Sequence, residues 1–282
     1  MGVEITYLTA STRRKPRYRV PMRGKTALVT GGSTGIGYAV AAALADAGAS
    51  VIVAGRNRDR GQVAAAGLTA RGRGMVRFVA VDVRSEESVR ALVDRALADT
   101  GTIDFLFNNA GVEGALGPLA TYPADSVDDL LATNVKGTFL CLKHVLPHMQ
   151  ARDAGVIVNS ASFVGTVVPF PDGMAYGASK AAVLSLTRTA AALVGTQRVR
   201  VYAVCPWITD TPMIDRLTAF QEERKRQFAS VNPSGTIAAP SDVAGVVLRL
   251  FAGEEPLDNG AAVLVDAGGV TTRIVPTAAA LV

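Results

Sequence analysis

Cysteine is scarce in this chain of 282 residues, with Cys141 and Cys205 the only two. Two thiols supply neither a disulfide framework nor a metal-binding spacing. Both are expected to be buried packing residues in a reducing, cytoplasmic setting. Histidine is as rare. His144 and His148 stand four apart, as a helical metal pair would, but Pro147 lies between them and no third ligand is evident. An exposed helix end is therefore expected, and no metal. The chain also lacks an apolar run long and charge-free enough to span a bilayer, and its beginning lacks the apolar core and cleavage site of a secretory signal. These absences lead us to expect a soluble protein with no membrane partner.

What is present is the composition of a folded domain, 49% hydrophobic and 19% charged. The net charge of +5 belongs mostly to one short stretch: Arg13, Arg14, Lys15, Arg17 and Arg19, opposed by Glu4, carry +4 of it within residues 1–21. The body has mixed charges and no basic stripe, so nucleic acid is not an expected partner. Residues 1–22 are expected to form a flexible basic tail, with Met22 a possible natural start. Residues 23–270 should form one domain, and 271–282 a C-terminal tail.

Short apolar runs recur along that domain: Lys25–Thr30, Ser50–Ala54, Arg77–Val81, Ile103–Phe107, Val156–Asn159, Val199–Val204 and Ala262–Val265. Helical spacings fall between them, as in Tyr38–Ala45, Glu87–Leu97, Val127–Met149 and Val243–Phe251. Alternation of this kind predicts an α/β fold with a Rossmann-like, doubly wound, seven-stranded parallel sheet and helices on both faces. Ligands should bind at the carboxyl ends of the strands. There the first run gives way to the glycine turn Gly31-Gly32-Ser33-Thr34-Gly35-Ile36-Gly37, which can bring a pyrophosphate against a helix N-terminus. The polar punctuation Asp82-Val83, Asn108-Asn109-Ala110-Gly111 and Ser160-Ala161-Ser162 falls on the same edge.

Tyr176 and Lys180, one helical turn apart in Tyr-Gly-Ala-Ser-Lys, would project from one face. A neighbouring ammonium favours the phenolate and lowers a phenol's usual pKa of about 10, so Tyr176 could exchange a proton in catalysis.

Together these motifs, in this order from about Arg23 to Gly269, resemble the short-chain dehydrogenase/reductase family. The resemblance implies an oxidoreductase that moves a hydride between a nicotinamide dinucleotide and a carbonyl or secondary alcohol. It implies a catalytic set of Asn134, Ser162, Tyr176 and Lys180. Ser162 would bind the substrate oxygen, with Ser160 its nearby rival, and Tyr176 would transfer the proton. Lys180 would lower the phenol pKa and hold the nicotinamide ribose, while Asn134 would position a relay water. The cofactor groove would comprise Gly31, Ser33, Thr34, Gly35, Ile36, Gly37, Arg56, Asp82, Val83, Asn109, Ala110, Gly111, Pro206, Thr209 and Thr211, with Tyr176 and Lys180. The family also implies a homotetramer or dimer.

At the end of the second strand, where NAD enzymes of this type place a carboxylate, the chain has Gly55 and then Arg56. A guanidinium suits a 2′-phosphate, so NADP(H) is expected. The alternatives are an NAD-dependent secondary alcohol or cyclic diol dehydrogenase and, in another class, a non-catalytic dinucleotide sensor. The stretch Phe163–Gly173, with Val164 and Phe170, should wall the substrate pocket beside Ser162, and Glu113 should border its mouth. Residues 207–234 should form a lid, in which Glu222–Arg226 reads as a solvated helix face. Two positions depart from the family pattern. Trp207 stands where a small residue is usual and should wall the substrate side, and Tyr202 stands where Asn is usual.

Overall fold

The apolar runs become strands because every second side chain can enter one of two cores. The computed structural model describes residues 6–7, 22–267 and 269–274. The strands and helices, in chain order, are β1 (Thr6–Tyr7), β2 (Thr26–Thr30), α1 (Gly35–Asp46), β3 (Ser50–Gly55), α2 (Arg58–Arg71), β4 (Val76–Ala80), α3 (Glu86–Thr100) and β5 (Phe105–Asn108). Then come α4 (Ala124–Leu131), a π-helical turn (Ala132–Lys136), α5 (Gly137–Ala151), β6 (Val156–Ser160), α6 (Met174–Val194) and β7 (Arg200–Pro206). The chain continues through α7 (Pro212–Leu217), α8 (Glu222–Ala229), α9 (Pro240–Ala252), β8 (Ala262–Asp266) and β9 (Gly269–Ile274).

Seven strands, in the order β4, β3, β2, β5, β6, β7, β8, run parallel. In β2 the side chains of Ala27 and Val29 join a core shared with α1 and α9, whereas Leu28 joins the core of α3, α5 and α6 on the opposite face. This is the expected doubly wound sheet. Tyr202 of β7 has a packing explanation: it is buried on the α9 side of the sheet. Cys141 and Cys205 are both buried and free, as expected.

Two features were not foreseen. The helical stretch expected over 127–149 is broken by the π-helical turn, which inserts Asn134 between α4 and α5. Past β8 the chain turns back as β9, which pairs antiparallel with β8 and runs across the boundary expected at residue 270. Thr6 and Tyr7 of the expected tail pair with Arg273 and Thr272 of β9. The other tail residues, 1–5, 8–21 and 275–282, lie outside the described residues.

Parallel order reverses direction of winding at β2, which has β3 on one side and β5 on the other. Such a switch point opens a crevice at the carboxyl ends of the strands. Here the crevice is sutured at its base. Thr30 Oγ1 accepts from the backbone N–H groups of Asn109 and Ala110, at 3.0 and 3.1 Å, and Asn109 Nδ2 donates to the carbonyls of Thr30 and Gly31.

Candidate active site

The turn between β2 and α1 packs so closely that side chains are excluded. Gly31 has φ of 64°, the left-handed region that favours glycine. A Cβ on Gly37 would collide with the Gly31 carbonyl oxygen and with Asn109 Nδ2. Gly37 thus holds the turn from behind, and the neighbouring Gly31, Ser33, Thr34, Gly35 and Ile36 face a cavity of about 700 Å³.

That cavity runs along the carboxyl ends of the strands from β4 across to β7. Its far end is lined by Arg56, Asp82 and Val83, and its middle by Asn109, Ala110, Gly111, Pro206, Thr209 and Thr211. Ser162, Val164, Phe170, Tyr176, Lys180 and Trp207 line the other end. Of the individual catalytic, cofactor-binding and substrate-binding residues expected from sequence, Gly37 and Asn134 do not line it, and of the stretch Phe163–Gly173 only Phe163, Val164, Val168, Pro169 and Phe170 do. Lining residues that the sequence reading did not name include Arg60, Leu116, Arg216 and Phe228.

Asn134 supports the cavity from behind. The π turn aims its amide so that Oδ1 accepts from Val112 N–H at 2.8 Å, while Nδ2 donates to the Val112 carbonyl at 2.9 Å and to Ser179 Oγ at 3.1 Å. Ser179 Oγ donates in turn to the Tyr176 carbonyl at 2.7 Å. The side chain is fully engaged in fixing the segment after β5 to the first turn of α6. π turns recur at functional sites because the extra residue re-aims a side chain.

Lys180 is buried and its Nζ donates to the Ser160 carbonyl at 2.9 Å. It lies 5.6 Å from the centroid of the Tyr176 ring. Burial lowers the ammonium to about 8, against 10.5 for an ordinary lysine. For Tyr176 the sequence expectation is reversed. Burial pushes the phenol up to about 12, and the Glu113 carboxylate adds to the rise. The opposing influence is a hydrogen bond with Ser162, not the charge of Lys180. That bond separates the two serines: the Ser162 side chain meets the phenol, whereas Ser160 offers its carbonyl to Lys180.

Trp207 is seated by a backbone hydrogen bond from its N–H to the Val265 carbonyl at 2.8 Å. It is not among the residues with positive φ, so the bulky residue is accommodated without that strain. Its indole stacks on Phe163, with centroids 4.6 Å apart and planes inclined by 17°. Beyond it, Asn232 clamps the segment expected to form a lid. It accepts from Ile208 N–H at 2.9 Å and donates to the carbonyls of Ile208 and Thr236 and to Asp266 Oδ1. The charged run in α8 is not wholly solvated: Lys225 turns inward to bridge Asp210 at 2.6 Å and Asp215 at 3.1 Å. His148 is exposed, but His144 is half-buried with Nε2 3.3 Å from Glu86 Oε1.

A parallel, doubly wound sheet with a glycine turn at its switch point and a Ser, Tyr and Lys cluster in one cavity defines a dinucleotide-dependent oxidoreductase site. Residues 25–222 match the family described as short chain dehydrogenase. The chain belongs to that family and is an oxidoreductase acting on CH–OH groups or the corresponding carbonyls.

Two relatives indicate the range. The cis-4-hydroxycyclohexanecarboxylate dehydrogenase of Sinomonas cyclohexanicum is 36% identical over 244 residues, 86% of this chain and 96% of the relative. The 2,5-dichloro-2,5-cyclohexadiene-1,4-diol dehydrogenase of Sphingobium indicum is 36% identical over 250 residues, covering 88% and 97%. Among solved structures, levodione reductase superposes with a TM-score of 0.83 at 31% identity, covering 87% of this chain and 97% of its own. Actinorhodin polyketide ketoreductase with NADPH gives 0.79 at 31%, covering 86% and 96%. NAD+-bound xylitol dehydrogenase gives 0.81 at 33%, covering 88% and 99%. Among the described residues, no helix is long and apolar enough to cross a membrane.

Proposed function

We propose that the protein is an NADP(H)-dependent carbonyl reductase, reversible as a secondary-alcohol dehydrogenase, with Tyr176 as its proton donor. The observation that carries this reading is the convergence of Tyr176, Ser162 and Lys180 at one end of a cavity that continues to Arg56. The residues present fit a dinucleotide. The glycine turn leaves a cradle with no side chain at Gly31 and Gly35. Gly55, beside Arg56, has open space where a Cβ would stand. When bound, the cofactor supplies or accepts the hydride at the substrate carbon.

The chain's own groups do the rest. Ser162 donates a hydrogen bond to the substrate oxygen and holds it against the Tyr176 hydroxyl. A phenol pushed up to about 12 stays protonated at neutral pH, the form required to deliver a proton as the carbonyl becomes an alcohol. Lys180 holds the ribose hydroxyls of the nicotinamide half and restores the phenol's proton from solvent. Asn134 keeps this end of α6 in place. Arg56 and Arg60 read a 2′-phosphate, because no carboxylate stands at the end of β3 to repel it. The molecule works as a homo-oligomer in the cytoplasm, and the exposed apolar side chains of Phe139 on α5 and Leu193 on α6 suit a subunit contact.

An NAD-dependent cyclic diol or polyol dehydrogenase is the second reading, favoured by the activities in the relatives' names. Titration with NADPH and with NADH, followed by cofactor fluorescence, separates the two. Tight NADPH and weak NADH are expected; the reverse order would transfer the assignment to the second reading.

A further inference from the structure

The substrate end of the cavity is walled by Leu116, Val164, Phe170, Leu217 and Phe228, and set into this apolar wall is an ion pair. Arg216 donates through Nε to Glu113 Oε1 at 2.6 Å and through Nη2 to Oε2 at 3.0 Å. This bidentate pair joins α7 of the lid to the segment after β5, across 103 residues of sequence. The Glu113 side chain is only 18% exposed, whereas that of Arg216 is 53% exposed.

The pair leaves hydrogen-bonding capacity unused. One N–H of Nη2 and both on Nη1 remain outside it, and each carboxylate oxygen keeps a lone pair. A hydroxyl both donates and accepts, so it can lie against the pair without separating it. A substrate carboxylate cannot. It would have to displace Glu113 from the guanidinium or face it as a like charge in an apolar wall. The reacting end is close by, since Glu113 and Arg216 line the same cavity as Tyr176 and Ser162.

We infer that Glu113 and Arg216 form a polar subsite for a second, uncharged oxygen of the substrate, selecting neutral hydroxyketones and diols and rejecting keto acids. This inference rests on the carbonyl chemistry proposed at Tyr176. It distinguishes this chain from a hydroxy-acid enzyme, since a hydroxyl held by charged partners gains where a carboxylate loses.

The test compares kcat/KM with NADPH for cyclohexanone, 4-hydroxycyclohexanone and 4-oxocyclohexanecarboxylate. The hydroxyketone should exceed cyclohexanone by about tenfold or more, and the keto acid should fall below it. Glu113→Gln frees the guanidinium charge and should raise the keto acid relative to cyclohexanone by about tenfold or more. Arg216→Met should abolish the advantage of the hydroxyketone. Should that variant fail to fold, Arg216→Lys, which keeps the charge but loses the fork, should reduce the same advantage. A wild-type preference for the keto acid would overturn the inference. So would identical substrate ratios in wild type and variants, the result expected if the pair were only a strap across the lid, which shifts KM for every ketone alike. Binding of NADPH without reduction of any ketone would instead sink the chemistry assigned to Tyr176, and this inference with it.

Discussion

Lys180 donates from Nζ to the Ser160 carbonyl at 2.9 Å, fastening α6 to the carboxyl end of β6 with a buried ammonium. Burial has lowered its pKa to about 8 from 10.5. Over that window the unfolded chain holds the proton more tightly than the folded one. Stability contributed by this group therefore rises as pH increases from 8 toward 10.5 and is lost as pH falls through 8. Between about pH 7 and pH 10, wild type should gain about 2–3 kcal/mol relative to Lys180→Met. Urea unfolding of the two proteins without cofactor measures the difference, and a gap independent of pH would contradict the burial assigned to Lys180.

Tyr176→Phe keeps the ring that packs at the cavity wall and removes only the hydroxyl. Turnover should fall by about a hundredfold to ten-thousandfold while the NADPH dissociation constant stays nearly unchanged. If Ser162 holds the substrate oxygen as proposed, Ser162→Ala should cost about a hundredfold or more in kcat. Full turnover in the phenylalanine variant would exclude Tyr176 as the proton donor.

Arg56 is exposed at the end of β3 where the cavity opens. If it reads a 2′-phosphate, Arg56→Ala should weaken NADPH by about tenfold to a hundredfold and leave NADH almost unaffected. Fluorescence titration checks this directly. Equal losses for both cofactors would assign Arg56 to the shared adenosine half instead.

At the opposite ends of the strands, Asp104 accepts the buried Thr26 N–H at 2.9 Å through Oδ2 and pairs with Arg152 at 3.1 Å and Lys25 at 3.5 Å. Asp104→Ala strands that N–H and should cost about 2–3 kcal/mol in chemical denaturation. Asp104→Asn, which keeps an acceptor oxygen, should cost less. The folded fraction should still bind NADPH normally, because the cavity lies at the other edge of the sheet.

Much of this architecture is legible in the chain because it is local. Each parallel strand is a short apolar run, and the residues that line the cavity sit immediately after those runs, as Asp82, Asn109 and Ser162 do. What escaped the reading depends on relationships that periodicity does not carry. Nothing in Ala-Thr-Asn-Val-Lys announces a π turn, since no proline or glycine interrupts it. Arg216 could be matched with Glu113 only by the folded chain. Lys225 belongs to a charged run and turns inward only because Asp210 and Asp215 lie beneath it. The upward shift of the phenol followed the same logic: Tyr176 and Lys180 share a helix face as expected, but the depth of that face outweighed the neighbouring charge. β9 was hidden because Gly-Val-Thr-Thr-Arg-Ile reads as an irregular tail until β8 offers it an edge.

That last pairing gives the beginning of the chain a protective task. β9 would be the outer strand of the sheet, with a row of unpaired peptide groups, were Thr6 and Tyr7 not laid along it. A two-residue strand is a poor template for further growth, so the sheet ends on a blunt margin. Removing residues 1–21 should leave turnover intact, since neither of the two described among them, Thr6 and Tyr7, lines the cavity, yet it bares β9 to other copies. The shortened enzyme should therefore remain active when dilute and scatter light when concentrated, a colloidal defect with no catalytic counterpart.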